Sequence, residues 1–354
     1  MTDVESGEPD TGANGERRPE TVTLRMVAAH AGVSKSVVSR VLQGAPHVSP
    51  RRQLAVEKAI SELGYRPNQS ARSLTQRRSN AVGVLVNDLR QPWIHEFLTG
   101  LHPELTRHGF HPLLGDGHLD RGTDQRLLTL FMEMRLGGLI LAATMPPSTE
   151  IMEAARFLPT VVAGGRDFDL PNVDTIAQDD AHGMALALDY LWGLGHRRIW
   201  HLAGGASRVF EERRASYDNW MRRKRAVRQA HAFACDTTEE GGYQVARRML
   251  DVPEQDRPTA IVAVNDYSCV GALAAARDLG IRVPDEMSFI GFDNSTLARM
   301  RQVDLTSVDV RPSEVGATTA HHLLERMTAP DLDAREVLVT PELVVRSSTG
   351  AAPR

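Results

Sequence analysis

Side chains able to do chemistry are gathered in two kinds of place in this 354-residue chain. The first is the stretch from Val22 to Asn80. It carries ten basic side chains (Arg25, Lys35, Arg40, Arg51, Arg52, Lys58, Arg66, Arg72, Arg77 and Arg78) against only Glu57 and Glu62, while the whole chain is formally −4. Cationic groups concentrated on one segment of a mildly acidic chain form a phosphate-binding surface, and His47 is placed to touch phosphate within it. The second is a set of polar residues, Asn87, Arg166, Asn265 and Asp293, each of which follows a short apolar run. In open sheets with helices on both faces, ligands bind just beyond the carboxyl ends of the strands. Asn265 and Asp293 there could fix hydroxyls through donor and acceptor contacts. Asp293 is equally able to cap the next helix, and Arg166 either binds a ligand oxygen or bridges two lobes.

Other chemistries lack their parts. GGAS at Gly204–Ser207 and MSFIGFD at Met287–Asp293 are not nucleophile elbows, and there is no phosphate loop or dinucleotide fingerprint. The histidines are scattered, and His321 and His322, being adjacent, point to different faces of a helix. Cys235 and Cys269 are far apart and in no CxxC pattern, so buried free thiols are expected. No catalytic residue, metal or cofactor is expected. No apolar run is long enough for a bilayer, and the N-terminus lacks the regions of a signal peptide, so a cytoplasmic location is expected.

The basic stretch reads as three helices. Thr23 caps the first, which turns Val27, Ala28 and Ala31 inward; Gly32 suits a tight turn. Ser34 caps a second, with Val38, Val41 and Leu42 facing inward, and Gly44 ends it. Ser49 and Pro50 open a third, which runs through Leu54, Ile60 and Leu63 to Gly64. This is a helix-turn-helix unit over residues 22–67. An ordinary solvated helical surface accounts for the charges alone, but not for turn, caps and charge asymmetry together.

Residues 1–21 are acidic, with little to bury, and are expected to be disordered. Residues 68–80 form a linker in which Asn68 caps a helix of one or two turns containing Ala71 and Leu74. That helix is too short to stand without a partner. Leu74 either packs on the next domain or wedges between base steps in a minor groove. From Ala81 strands alternate with helices: Ala81–Val86, the region of Leu113, Gly137–Ala143, Thr160–Gly165, Thr175–Ile176, Arg197–Gly204, Ala232–Phe233, Ala260–Asp266 and Met287–Asp293. The helical stretches between them include Ile94–Leu101, Leu127–Met134, Ala185–Leu194, Tyr217–Val227 and Gly242–Leu250. Such alternation over 81–350 predicts an α/β core of two doubly wound parallel-sheet lobes behind an all-α head.

The segments TLRMVAAHAGVSKSVVSRVLQG, VSPRRQLAVEKAISELGYRPNQSARSL, LGHRRIWHLAGG, PTAIVAVND, GALAAARDLGIRVPDEMSFIGFDN, LTSV and PELVVRSSTG fall in order from Val22 to Gly350. On these motifs the chain resembles the lactose-repressor (LacI/GalR) family of bacterial transcription regulators, whose core is of periplasmic-binding-protein type. The resemblance implies a homodimer whose heads occupy neighbouring major grooves of a pseudo-palindromic operator, with paired hinge helices in the minor groove, under control of a small-molecule effector. It implies that Lys35, Ser36 and Arg40 face bases, Arg40 reading a guanine, and that Leu74, with Ala71 beside it, is the hinge wedge. It also places Trp93 and Arg213 in the effector pocket.

Departures from the family pattern are as informative. Met26 removes an acidic capping partner of Thr23. Val37 replaces a threonine, exchanging a phosphate-binding hydroxyl for an apolar group facing a thymine methyl. Gly165 stands in place of a pocket aspartate, Glu211 in place of an arginine, and Asp309-Val310 in place of Arg-Gln. The effector expected first is a sugar or sugar derivative, and second a nucleobase or nucleoside, since the face of Trp93 suits a pyranose or a base. Trp93 as a plain core aromatic is the alternative. Two competing functions share the architecture: an exported solute-binding protein, which needs a leader and no head, and an enzyme, which needs a catalytic set.

Overall fold

Helix α1 (Leu24–His30) begins where the Thr23 hydroxyl accepts the Met26 amide, and α2 (Lys35–Leu42) follows the tight turn at Gly32. Helix α3 (Pro50–Leu63) has proline in its first turn and ends at Gly64, whose φ of 62° is the left-handed cap that glycine adopts without strain. The Tyr65 amide then bonds back to the Ile60 carbonyl. Val27, Ala28, Val38, Val56, Ala59 and Tyr65 form the core of this small unit. Leu54 lies on the outward side of α3, 67% exposed; the turn that faces α1 and α2 is the one carrying Val56 and Ala59. The computed structural model describes residues 22–42, 48–65, 79–117, 120–142, 148–166, 170, 172–205 and 207–353. The chain divides into two compact units, Met1–Arg77 and Arg78–Arg354.

The second unit holds two six-stranded sheets. The first contains β1 (Ala81–Val86), β2 (His111–Asp116), β3 (Gly138–Ala142), β4 (Thr160–Ala163), β5 (Asp174–Gln178) and β11 (Glu336–Val339). Its order is β11-β5-β4-β3-β1-β2, and every pairing is parallel. The second contains β6 (Ile199–Ala203), β7 (His231–Ala234), β8 (Ala260–Ala263), β9 (Ser288–Phe292), β10 (Ser307–Asp309) and β12 (Glu342–Val344). Its order is β12-β10-β9-β8-β6-β7, parallel except for the last strand. Central strands covered on both faces must be apolar throughout; β1 is buried from its second residue on, and β3, β6, β8 and β9 are buried at every position. Strand order reverses between β1 and β3 and again between β6 and β8, the crevice positions of doubly wound sheets.

The helices are α4 (Pro92–Arg107), α5 (Arg121–Glu133), α6 (Thr149–Phe157), α7 (Asp180–Gly193), α8 (Arg208–Arg223), α9 (Glu239–Leu250), α10 (Asp266–Asp278) and α11 (Pro312–Thr328). Among the described residues none is long and apolar enough to cross a membrane. Two differences from the expected elements have physical causes. Helix α8 starts nine residues before Tyr217, because Ser207 caps it there; the stretch Glu211–Ser216 between Phe210 and Tyr217 is polar except for Ala215 and breaks the apolar signal. Helix α11, β10, β11 and β12 lie beyond the last strand read from the alternation; α11 is rich in small residues and the strands are only three or four residues long.

Close helix packing depends on missing side chains. A Cβ at Gly100 of α4 would lie 1.8 Å from the Ser313 carbonyl oxygen, and one at Gly316 of α11 would lie 2.1 Å from that of Phe97. The other lobe repeats the device, with Gly242 of α9 against Ser268 and Gly271 of α10 against Glu239. Backbone meets backbone at both places, so neither contact can relax by moving a side chain. Cys235 and Cys269 are free and buried.

One carboxylate ties the end of the chain into the first sheet. Asp174, at the start of β5 and fully buried, accepts bonds from the Arg335 amide at 2.9 Å, the Arg335 guanidinium at 2.6 and 3.2 Å, His322 Nδ1 at 3.0 Å, and the buried Arg326 guanidinium. Burial alone would raise its pKa; the bonds from Arg335, Arg326 and His322 outweigh that and hold it far below the usual carboxylate range.

Two stability measurements test these constraints. Gly316→Ala should lower the urea midpoint by an amount equivalent to about 1–3 kcal/mol. Gly193→Ala, at an exposed helical site where an added Cβ meets nothing, should be neutral or stabilising; equal losses in both would remove the packing argument. Asp174→Asn should cost about 3–5 kcal/mol, since it leaves buried guanidinium charge uncompensated. Because the folded pKa is depressed, the stabilisation from Asp174 is complete above its unfolded value near pH ~4 and is lost as pH falls through the folded value. An acid-unfolding profile in which Asp174→Asn and the parent lose stability in parallel below that pH would contradict the assignment.

Candidate functional site

On the small helical unit, Lys35, Ser36 and Arg40 are all exposed. Ser36 and Arg40 are one turn apart on α2, so they share a face, and Arg40 Nε bonds to the Ser36 carbonyl at 3.4 Å. The Ser34 and Ser36 hydroxyls lie 2.8 Å apart. Val37 does not join this face. It is 8% exposed, so little of its side chain remains to meet a thymine methyl, and the expected contact is corrected. His47, Asn68, Ala71 and Leu74 lie outside the described residues, as do residues 1–21.

In the larger unit a cleft of about 660 Å³ opens between the two sheets, bordered by the carboxyl ends of their strands and the first turns of α4, α8, α9 and α10. Trp93, Arg213, Asn265 and Asp293 all line it. Asn87, directly after β1, is buried beside the lining residue Asp88 and is not itself on the wall. Arg166 also lies off the wall: its guanidinium joins Glu212 of α8 and Glu336 of β11, the latter at 3.2 Å. Of its two expected roles, the bridge between lobes is the one that the structure carries.

Trp93 is both a wall and a core residue. Its ring stacks on Phe97 with centroids 5.1 Å apart and planes 14° from parallel. The benzo edge lies against Gly164, where a Cβ would come within 2.4 Å of Trp93 Cη2. Gly164, at φ +79°, thus supplies both the backbone conformation and the space. Beside it Gln178, 3% exposed, donates from Nε2 to the Gly164 carbonyl at 3.3 Å. Among the described residues Gln178 Oε1 and Trp93 Nε1 have no hydrogen-bond partner. A buried polar atom left in that state costs about 1–3 kcal/mol, and both belong to residues on the cleft wall.

The opposite wall is organised around Arg213, which is 3% exposed. Its Nε donates to Asp180 at 2.7 Å, another nitrogen to the Val264 carbonyl, and the guanidinium lies 4.2 Å over the Phe292 ring. Asp293 Oδ1 is 3.9 Å from it. Burial pushes the Asp293 carboxyl up to about 6, with Arg213 opposing and Asp180 and Asp309 adding. Its neighbour Asp266, held by Ser307 Oγ at 2.6 Å and the Ser295 amide at 2.7 Å, is pushed up to about 7 by burial and by Asp293. Asp293 has φ 97°, a strained value for a residue with a side chain. Asn265 caps α10: its Oδ1 accepts the Ser268 amide and its Nδ2 donates to the Thr237 carbonyl, both at 2.9 Å.

Several wall residues were not among those singled out from the sequence. Gln178 ends β5, two residues beyond the expected Thr175–Ile176, and Asp88 follows Asn87 beyond β1. Asp236, Glu239 and Glu240 sit at the start of α9, where an acidic first turn reads as ordinary helix capping.

Comparison with known proteins agrees with both halves of this architecture. The family of bacterial regulatory proteins of lacI type matches residues 23–68, and the periplasmic binding protein-like domain matches residues 188–349. The HTH-type transcriptional repressor PurR of Pectobacterium atrosepticum is 30% identical over 340 residues, covering 94% of this chain and 98% of its own. The HTH-type transcriptional repressor CytR of Escherichia coli is 29% identical over 340 residues, covering 96% and 99%. The solved lac repressor dimer bound to operator and an anti-inducer superposes with a TM-score of 0.83 at 26% identity, covering 94% of this chain and 100% of that one. The transcriptional regulator CelR in complex with cellobiose gives 0.69 at 28% identity, covering 92% and 99%. The chain therefore belongs to the LacI family of bacterial regulatory proteins, and it is a DNA-binding transcriptional repressor rather than an enzyme.

Proposed function

We propose that this repressor works in the cytoplasm as a homodimer on a pseudo-palindromic operator, under control of a small-molecule effector held in the interlobe cleft. The head is residues 22–67, the hinge 68–80 and the two-lobed core 81–350. Lys35, Ser36 and Arg40 read bases, His47 touches phosphate, and Asn68, Ala71 and Leu74 form the hinge helix that enters the minor groove. The effector is a sugar or sugar derivative, with a nucleobase or nucleoside as the second candidate. Effector binding changes the relative orientation of the lobes and hence the spacing of the hinges, by as much as its affinities for the two states differ.

The observation that carries the effector half of this reading is the cleft wall itself. An aromatic face, an unsatisfied amide oxygen and strand-end polar groups converge there, as a site for a polar ring requires. That CelR was solved with cellobiose supports the sugar; the Trp93–Phe97 stack suits a base as well. The operator half is supported by the exposed basic and hydroxyl groups of α2 and by the operator-bound lac repressor.

A duplex selected from a randomised pool tests the head. Arg40→Ala should weaken binding by about 1–3 kcal/mol and relax preference at a single base pair. Leu74→Ser should weaken operator binding while leaving effector affinity unchanged; a mutant with parental operator affinity would sink the hinge assignment. Binding of the parent should fall steeply with salt, as phosphate neutralisation demands.

A thermal-shift screen with sugars, nucleosides and small acids tests the cleft. A hit should raise the melting temperature saturably, and Trp93→Ala should abolish the shift. A hit whose affinity survives both Trp93→Ala and Asp293→Asn would place the ligand elsewhere.

A further inference from the structure

The charges on the cleft wall are arranged in a way that the shape of the site does not require. Five carboxylates line it: Asp88, Asp236, Glu239, Glu240 and Asp293. Two guanidiniums do, and both are already engaged. Arg90 is bound by Asp88 through two bonds of 2.8 Å, and Arg213 by Asp180 at 2.7 Å. Among the described residues, then, no uncommitted cation faces the cleft.

Helix ends work in the opposite direction. The first turns of α4, α8, α9 and α10 border the cleft, and each helix N-terminus is equivalent to about +0.5 charge, or roughly +2 for four. Unaltered, such a ring of amides would welcome an anion. The wall carboxylates exceed the wall guanidiniums by three, so the side chains outweigh the dipoles and the cleft stays negative. The acidic residues on α9 sit in its first turn, where they cancel the dipole that would otherwise draw a phosphate.

A second, independent feature points to the kind of group that enters. Gln178 is 3% exposed and lines the cleft, with its Nε2 fixed on the Gly164 carbonyl and its Oε1 lacking a donor. A ligand hydroxyl or N–H meets that need, whereas a phosphate or carboxylate oxygen offers only another acceptor.

Accepting the effector reading above, we infer that the cleft selects a ligand that donates hydrogen bonds and carries no phosphate or carboxylate. Neutral polyols, nucleosides and amine-bearing rings fit; sugar phosphates, nucleotides and organic acids do not. Asp236, Glu239 and Glu240 act as the charge filter, and Gln178 as the acceptor inside it.

The test uses the full-length protein and matched pairs: glucose and glucose phosphate, ribose and ribose phosphate, cytidine and cytidine monophosphate, with glucosamine beside glucose. Thermal shift finds the binding pairs and calorimetry measures them. In each, the unphosphorylated member should bind at least ~10-fold more tightly. The ratio should widen at low ionic strength, because the filter is exposed and screened by salt. It should shrink in the combined Asp236→Asn, Glu239→Gln, Glu240→Gln variant, a ratio that is insensitive to any general loss of affinity. A phosphate that binds more tightly than its neutral counterpart overturns the inference and leaves the sugar or nucleoside reading standing. A ratio that moves with neither salt nor variant overturns the charge filter, because steric exclusion alone would behave so. If no member of any pair binds, the effector reading itself fails and takes this inference with it.

Discussion

Everything in the larger unit rests on how the chain returns to a sheet that it has left. After β5 the polypeptide builds the second sheet and then comes back through α11 to lay β11 beside β5. Asp174 is the point of attachment. It holds Arg326 from the end of α11 and Arg335 just before β11, together with His322, in one buried cluster. Arg326 also bonds the carbonyls of Leu332 and Asp333, so the connecting turn has no freedom of its own. The adjacent glycine contacts between α4 and α11 then fix the same helix against the first layer.

How much of this could be read from the amino-acid sequence depended on the range of the determining interaction. Thr23, Gly32 and Gly64 act within a turn of themselves, and their caps were legible. So were strands such as Gly138–Ala142, since a strand buried on both faces is a plain apolar run. Leu54 shows where this reasoning stops. An apolar residue on a helix identifies a face only after the partner helices are known, and α3 turned Val56 and Ala59 inward instead. Arg166 shows the same limit: its two expected roles separate only when the fold brings Glu212 of α8 and Glu336 of β11 beside it, which makes it the bridge. Helix α11 has little apolar contrast to announce itself, because Gly316, Thr319, Ala320 and Arg326 share its buried face with Val315 and Leu323.

The cleft illustrates the same limit from the side of chemistry. The strand-end rule located Asn265 and Asp293, but it says nothing about whether an arginine that reaches the site is available. Arg90 and Arg213 are not, since Asp88 and Asp180 already hold them. Arg213 reaches the cleft but fixes its wall, and Arg90, which no motif singles out, does the same. Gln178 escapes the strand-end rule because the apolar signal marks only Thr175–Ile176, whereas β5 extends to Gln178 itself.

The energies of these contacts also differ in a way that suits a responsive protein. Within the first lobe, removal of a partner from the Asp174 cluster costs several kcal/mol, because the charges left behind are buried. Between lobes the ion pairs include Arg166 with Glu212 and Arg299 with Glu96, and each partner keeps between 22% and 47% of its side chain exposed. Ion pairs in that condition contribute about 0–1 kcal/mol each, and less in salt. A ligand at a hundred times its dissociation constant stabilises the state it binds by about 2.7 kcal/mol. A molecule that touches Trp93 on one lobe and Asp293 on the other, and that binds only one arrangement of them, therefore outweighs either of these ion pairs taken alone and falls short of the cluster that keeps the first lobe intact.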